Sequence, residues 1–93
     1  MASARLTRNQ ISSQLEQLNG WSLKKKEISK LIVSVDFVHA MALVNSVALL
    51  AEKANHHPDI DIRWNKVRLT LSTHSAGGLT MLDFKLAKAI DSL

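Results

Sequence analysis

The chain has no cysteine, one proline, three glycines and few aromatic residues among its 93 amino acids. Without cysteine it can form neither disulfide bonds nor thiolate metal sites, which is typical of a protein from a reducing compartment. Because basic residues are not interleaved with the few aromatic ones, the sequence offers no stacking platform for nucleic acid. These absences favour a cytoplasmic protein that does not bind nucleic acid directly.

Signals for membrane targeting are also scarce. The opening MASARLTRNQ has no apolar core and contains arginine, so we expect no secretory signal. Polar or charged residues interrupt the most apolar run, residues 37–54: His39, Asn45, Ser46, Glu52 and Lys53. A run broken in this way argues against a membrane span, and we expect no membrane association.

Length and charge limit the architecture further. A chain of 93 residues makes one domain, 1–93, and buries only about 60–65% of its unfolded surface, so it gains stability from self-association. The formal net charge is +4, from 12 Lys and Arg against 8 Asp and Glu. The densest basic cluster, Lys24-Lys25-Lys26, falls at a predicted turn, and we interpret it as a solvated tip.

Hydrophobic periodicity predicts three helices and four strands. Three positions carry helix-start signals: the capping-box pairs Thr7/Gln10 and Thr80/Asp83, and Asp36 as N-cap before residues 37–54. Four segments have the pattern of strands: residues 21–23, 27–35, 60–64 and 67–72. The order α-β-β-α-β-β-α predicts an α+β fold, a four-stranded antiparallel sheet with helices packed on one face.

The central helix is apolar over an unusually wide arc. Two neighbouring stripes run along it: Phe37, Met41, Val44, Ala48 and Ala51, and Ala40, Leu43, Val47, Leu50 and Ala54. Such a helix has a second surface to cover, and in so small a chain the expected cover is another subunit. We therefore predict a homo-oligomer, a dimer or a tetramer, formed through residues 37–54. His39, on the polar strip, is interpreted as a surface or interface residue.

The stretch EKANHHPDIDIRW, residues 52–64, places two histidines at the end of this helix. Proline disfavours the helical conformation for the residue before it, so the helix ends at or before His57. His56 and His57 then lie where the helix dipole favours a protonated imidazole, and Glu52 is spaced to reach His56. His74 follows a predicted strand, in phase with its polar residues, and is expected to face a site.

Three interpretations of these histidines remain open on spacing alone. They can cap backbone carbonyls, bind a metal together with a carboxylate, or carry out acid–base chemistry without a metal. No H-x-H or H-E-x-x-H spacing supports the metal interpretation. Asp83 is explained equally well by its place in a capping box.

The same residues resemble the pterin-4a-carbinolamine dehydratases, whose animal members also serve as dimerisation cofactors of a homeodomain transcription factor. The resemblance rests on EKANHHP, an aromatic residue in WNKV, LSTH and GLTMLD. It covers thirty-two residues at matching spacing: Glu52, His56-His57-Pro58, Trp64, His74 and Asp83. A weaker similarity extends over residues 20–93. Trp64 stands where tyrosine is common in the family, so a phenol hydroxyl is absent.

What the resemblance implies is a dehydratase that removes water from 4a-hydroxytetrahydropterin, giving quinonoid dihydropterin and supporting tetrahydropterin recycling. It implies catalytic roles for His56, His57 and His74, and contacts to the pterin from Glu52, Pro58, Trp64, Thr73 and Asp83. Glu52 would orient His56, and Asp83 would support His74 or the ligand. Proton transfer by imidazole requires neither metal nor redox cofactor, so none is expected. The family's tetramers, built through the central helix, agree with the apolar arc.

The chief alternative is a binding role on the same fold, as a transcriptional coactivator or an assembly factor. Such a protein could dispense with the histidines, whereas all three are present here with Glu52 and Asp83. A metal-dependent enzyme is the third possibility. The presence of the whole set favours the dehydratase.

Overall fold

A computed structural model describes residues 4–93; residues 1–3, the start of the segment expected to lack a signal, lie outside it. Its elements follow the predicted order: α1 Arg8–Leu15, β1 Ser22–Lys24, β2 Glu27–Val33, α2 Phe37–Ala54, β3 Asp59–Arg63, β4 Lys66–Leu71 and α3 Met81–Asp91. A short 3-10 turn, His74–Ala76, precedes α3. The predicted α+β fold is therefore confirmed, with strand ends shifted by one or two residues.

The sheet is antiparallel, with strand order β1-β2-β4-β3. Thr70 of β4 pairs with Ser29 of β2 on one side and with Asp59 of β3 on the other. This register brings the β1–β2 turn, the end of β4 and the start of β3 to the same end of the sheet. The segments that carry the histidines and the lysine cluster thus become neighbours.

Alternation along the strands separates a buried face from an open one. Val67, Leu69 and Leu71 of the central strand β4 are fully buried beneath the helices, as are Ile28 of β2 and Phe84 of α3. The intervening β4 residues face the opposite side of the sheet. The core lies between one sheet face and the helices, as the sequence predicts.

Both predicted N-terminal caps outside the site are present. Thr7 and Gln10 form a reciprocal capping box at α1. At α2, the Asp36 carboxylate accepts hydrogen bonds from the His39 backbone N–H and imidazole, which lower the pKa of Asp36 below its ordinary value. Because the folded pKa is depressed, this contact stabilises the fold above the ordinary pKa, and the contribution is lost as pH falls. His39 is exposed, as predicted, and has a capping role.

Helix α2 buries one stripe and leaves the rest of its apolar arc uncovered. Ala40, Val47 and Ala51 lie in the core, whereas Val38 is exposed and Leu49 has 74% of its surface exposed. Of the two stripes predicted from sequence, the one that contains Ala40 and Val47 faces this subunit's own core, whereas Val38 and Leu49 belong to neither stripe. By length and composition α2 could also cross a bilayer, with a mean hydropathy of 1.3. Its buried stripe nevertheless joins it to the sheet and α3.

Asp91, at the end of α3, binds two distant parts of the chain, residues 19–21 and Lys30. Its carboxylate accepts hydrogen bonds from Trp21 Nε1 at 2.9 Å, Lys30 Nζ at 2.8 Å and the backbone N–H of Asn19 at 3.4 Å. The indole is buried, so its N–H has no ready access to water once the carboxylate is removed.

We expect Asp91→Ala to lower the free energy of unfolding by about 1–3 kcal/mol, because it leaves a buried donor without a partner. Urea unfolding followed by circular dichroism measures this change. The matched variant Asp61→Ala breaks only the exposed pair with Arg63 and should cost at most about 1 kcal/mol. Equal losses in the two variants would contradict a structural role for the Asp91 cluster.

Candidate active site

The end of α2 determines where each histidine points. The C-cap, Asn55, has left-handed backbone angles, a conformation that asparagine tolerates better than most residues. The backbone N–H of His56 then donates to the carbonyl of Ala51 at 3.1 Å, closing the last turn. The chain leaves the helix axis here, so His56 and His57 no longer continue its face. His56 turns towards α3, and His57 remains at the surface.

His56 pairs with a buried carboxylate. Its Nε2 lies 2.6 Å from Oδ1 of Asp83, and the exposed side-chain fractions are 11% for His56 and 0% for Asp83. Asp83 was predicted to support His74 or the ligand, but its oxygens contact only protein groups among the described residues. Full burial explains the difference, since a carboxylate with no surface cannot touch a ligand. Asp83 therefore acts through the groups that it holds, His56 and Thr73 among them.

A directed chain of hydrogen bonds holds Asp83 in place. Its Oδ2 accepts from the Thr80 backbone N–H at 2.9 Å and from Thr73 Oγ1 at 2.8 Å. Because the Thr73 hydroxyl donates to Asp83, the Thr80 hydroxyl, 2.8 Å away, donates to Thr73. The Thr80 oxygen in turn accepts from the backbone N–H of Leu82. Each hydroxyl proton in this hydrogen-bond network therefore has one assignment. The network holds the Asp83 carboxylate in position against His56.

The pairing leaves one ring nitrogen of His56 for chemistry. Its Nδ1 has no hydrogen-bond partner within residues 4–93, and it is not among the buried atoms that lack a partner. The Nδ1 atom therefore keeps some access to solvent in a side chain that is 11% exposed, while Nε2 faces the carboxylate. In the neutral imidazole, the tautomer that donates from Nε2 to an ionised Asp83 presents a lone pair at Nδ1. This arrangement can accept a proton at Nδ1 and return it.

His57 has a carboxylate partner of its own. Its Nε2 contacts Oε2 of Glu52, and both side chains are largely exposed, His57 at 57%. The expectation that Glu52 orients His56 is wrong. The helical i to i+4 relation does not continue past Asn55, whose left-handed turn brings His57 back along the helix end. The exposed pair can exchange protons directly with solvent or ligand.

His74 is connected to the His56–Asp83 pair through its neighbour Thr73. Thr73, predicted to contact the pterin, is buried against Asp83, and His74 follows it in the exposed 3-10 turn. The β4 ladder ends at Leu71, so His74 does not continue the strand as the sequence pattern suggests. No direct hydrogen bond joins His74 to another histidine in the described part of the chain.

Trp64 is not brought to the histidines within the subunit. It occupies the β3–β4 turn with a positive φ of 56°, is 67% exposed, and has Lys66 Nζ 5.2 Å from its ring centroid. The five residues of β3 lie between it and Pro58, a separation of about 20 Å along an extended strand. The predicted contact of Trp64 with the same ligand does not follow from this geometry. Pro58 stands directly before β3, beside His57.

Sequence reasoning missed one contributor to the site. Thr80 was recognised only as a helix cap. Capping-box spacing already places Thr80 beside Asp83, but its hydroxyl bond to Thr73 depends on the β4–α3 connection. Among residues 4–93, no group of three His, Asp or Glu side chains has an arrangement that could hold a metal.

Comparison of the whole sequence with known proteins identifies the family of this chain. The sequence model described as "Pterin 4 alpha carbinolamine dehydratase" matches residues 4–93. A relative from Acidobacterium capsulatum, provisionally named pterin-4-alpha-carbinolamine dehydratase, is 54% identical over 90 residues, covering 97% of this chain and 98% of the relative.

Two solved structures have the same fold. The first, described as a transcriptional coactivator/pterin dehydratase from Brucella melitensis, has a TM-score of 0.91 and 36% identity, covering 95% of this chain and 96% of that one. The second is a pterin dehydratase-like protein identified as a RuBisCO assembly factor in the alpha-carboxysome. Its TM-score is 0.67 at 21% identity, with 80% and 88% coverage, so it supports the fold alone.

Proposed function

The chain belongs to the pterin 4 alpha carbinolamine dehydratase family, and we propose that it removes water from 4a-hydroxytetrahydropterin by histidine acid–base catalysis. The product is quinonoid dihydropterin, so the reaction supports the recycling of a tetrahydropterin. We place it in the cytoplasm as a hydro-lyase whose steps need only proton transfer.

The reaction needs a proton at one position and removes one from another. The hydroxyl on C4a leaves as water once its oxygen is protonated, and the proton on N5 is taken away as the new double bond forms. No electrons enter or leave, and one water is released. Imidazole suits both transfers because its ordinary pKa lies near neutrality.

The observation that carries this proposal is the pairing of His56 with buried Asp83. A purely structural histidine at a helix end would satisfy a carbonyl, whereas this one pairs Nε2 with a buried carboxylate and leaves Nδ1 without a protein partner among residues 4–93. His57, paired with Glu52, and His74 supply further imidazoles at the same end of the sheet. We propose that His56 carries a proton at Nδ1 and that His57 and His74 complete the transfer to and from the pterin.

Purified protein added to freshly generated carbinolamine should accelerate formation of quinonoid dihydropterin, followed by absorbance. The spontaneous dehydration, measured without protein, is subtracted. Activity should survive exhaustive chelation, because the proposed steps use only imidazoles. A rate equal to the background would overturn the proposal, and activity lost to chelator and restored by added metal would replace it with a metal mechanism.

A binding role is the second candidate, favoured by the exposed apolar face of α2 and by the coactivator named for the Brucella melitensis structure. The two roles differ in their need for the histidines. The test is a triple variant in which His56, His57 and His74 are replaced by alanine. If this variant is as active as the wild type in a coactivation or assembly assay, the protein has a binding role that does not need the histidines.

We also propose that the exposed face of α2 forms a homo-oligomer interface, giving a dimer or tetramer. The residue suited to test this is Leu49, which lies on the exposed face, rather than Val47, which is buried in the subunit core. Glutamate at Val47 would unfold the subunit and report nothing about assembly.

Leu49→Glu is expected to lower the molecular mass measured by light scattering by at least half, because it places an unpaired carboxylate in an apolar contact. Ser13→Glu adds the same charge to an exposed position on α1 and should leave the mass unchanged. Circular dichroism verifies that both variants are folded. An unchanged mass for folded Leu49→Glu would exclude this face as the interface.

A further inference from the structure

A cleft at the histidine end of the sheet joins His74 to the most basic segment of the chain. Its volume is about 570 Å³, and its walls include Lys24, Lys25 and Lys26 of the β1–β2 turn, here called the lysine turn, together with Ser72 and His74. Ser72 Oγ donates a hydrogen bond to the carbonyl of Lys26 at 2.9 Å, which fixes the lysine turn to the end of β4. The lysine turn is therefore one wall of a cavity rather than a free tip.

The cleft has an excess of positive charge. The lysine turn contributes three ammonium groups, and the Arg5 side chain passes beside Gly78 on the adjoining wall. A Cβ at Gly78 would meet Arg5 Cδ at 2.9 Å, so a side chain at this position would displace the arginine stem. Within residues 4–93 none of these four cations forms a salt bridge, and Glu27 is the one carboxylate lining the cleft.

The backbone of the lysine turn is strained in a way that asparagine or glycine would relieve. Lys25 has a positive φ of 56°, a left-handed conformation that side chains other than those of asparagine and aspartate rarely adopt. A lysine in this position adds no packing that accounts for the strain, because its side chain is exposed. What it adds is a charge at the mouth of the cleft.

The strand order relates this charge to the proposed chemistry. Across the sheet, β2 with the lysine turn, β4 leading to His74, and β3 following His57 are successive neighbours about 4.8 Å apart. In a pterin, C6 is bonded to N5, the atom that loses its proton in the proposed reaction. If N5 faces His74, the 6-substituent begins one bond away and can enter the cleft that His74 shares with the lysine turn.

We infer that the preferred substrate is a tetrahydropterin carbinolamine whose 6-substituent carries an anionic group, a phosphate or a carboxylate, held by the lysine turn. This inference rests on the proposed dehydratase function and names its substrate class. The histidines act on the ring, and the cleft selects the substituent.

Binding of stable fluorescent pterins tests the inference. The probes are 6-hydroxymethylpterin, its phosphate ester, and a pterin whose 6-substituent ends in glutamate. At low ionic strength the wild type should bind an anionic probe about 3- to 30-fold more tightly than the neutral one, and added salt should reduce this preference. Preference for the phosphate ester alone, or for the glutamate probe alone, identifies which anion the cleft takes.

The double variant Lys25→Asn/Lys26→Gln should lose most of the preference, and Asn is chosen because it tolerates the positive φ. Lys85→Gln/Lys88→Gln removes the same charge from α3 and should keep the preference. Equal affinities of the wild type for neutral and anionic probes would overturn the inference, as would a preference that the lysine-turn variant retains, while measured dehydratase activity would leave the proposed function standing. A protein that binds no pterin and dehydrates no carbinolamine would overturn both.

Discussion

His56→Ala is expected to lower the catalysed dehydration rate about 10²- to 10⁴-fold, the range typical of a general acid–base group. The substitution removes Nδ1, the ring nitrogen that is not paired with Asp83. Because the carbinolamine dehydrates unaided, the measured loss is limited by the spontaneous rate. The rate should therefore be measured as an increment above background over a series of protein concentrations.

His39→Ala is the control for this variant. His39 lies at the start of α2, about 25 Å from its end, and its contacts are with the exposed Asp36 carboxylate. We expect its dehydration rate to equal that of the wild type. Removing His56 and His74 together should cost less than the product of the single losses, because cooperating groups fail once either is missing. A triple histidine variant of full activity would make the histidines structural.

Asp83→Asn is expected to abolish most of the activity while leaving the chain folded. Asparagine can still accept hydrogen bonds from Thr73 and the Thr80 backbone through its oxygen, so the helix cap is retained. Its amide nitrogen then donates to His56 Nε2, which forces the imidazole proton onto Nδ1. The lone pair needed at the surface is lost, and the rate should fall about 10²- to 10⁴-fold.

Comparing Asp83→Ala with Asp83→Asn separates the structural role of this residue from its role in catalysis. It removes the acceptor for His56, Thr73 and the Thr80 backbone together, and should lower the free energy of unfolding by about 3–5 kcal/mol. Thermal unfolding measures the loss, and near-wild-type stability of Asp83→Asn is the matched comparison. An active Asp83→Asn variant would show that the tautomer of His56 does not matter for the reaction.

The fold could be predicted from local patterns because each signal acts over a few residues. The capping boxes at Thr7 and Thr80, the N-cap at Asp36 and the alternation in β4 all lie where the sequence indicates. The predicted buried face of β3 is wrong in part, because Ile60 and Trp64 are exposed. These elements depend on hydrogen bonds and side-chain periodicity within one turn or one strand.

The pairings within the site could not be predicted in the same way. Glu52 meets His57 rather than His56 because a single residue, Asn55, adopts left-handed angles, and spacing alone does not show this. Asp83 meets His56 across twenty-seven residues of chain, a contact set by how α3 packs beside the end of α2. The cleft beside the lysine turn likewise depends on strand order, since β2 and β4 are distant in sequence.

The capping box of α3 has a consequence for how this sequence can vary. At an ordinary helix start, the third position accepts Glu, Gln or Asp with little difference, and drift among them is nearly neutral. Here one oxygen of Asp83 caps the helix and the other holds His56, so a longer side chain would displace the imidazole even if it capped as well. Selection for stability and selection for chemistry therefore act on the same atoms. The first turn of α3 is a place where the sequence can lose function without losing its fold.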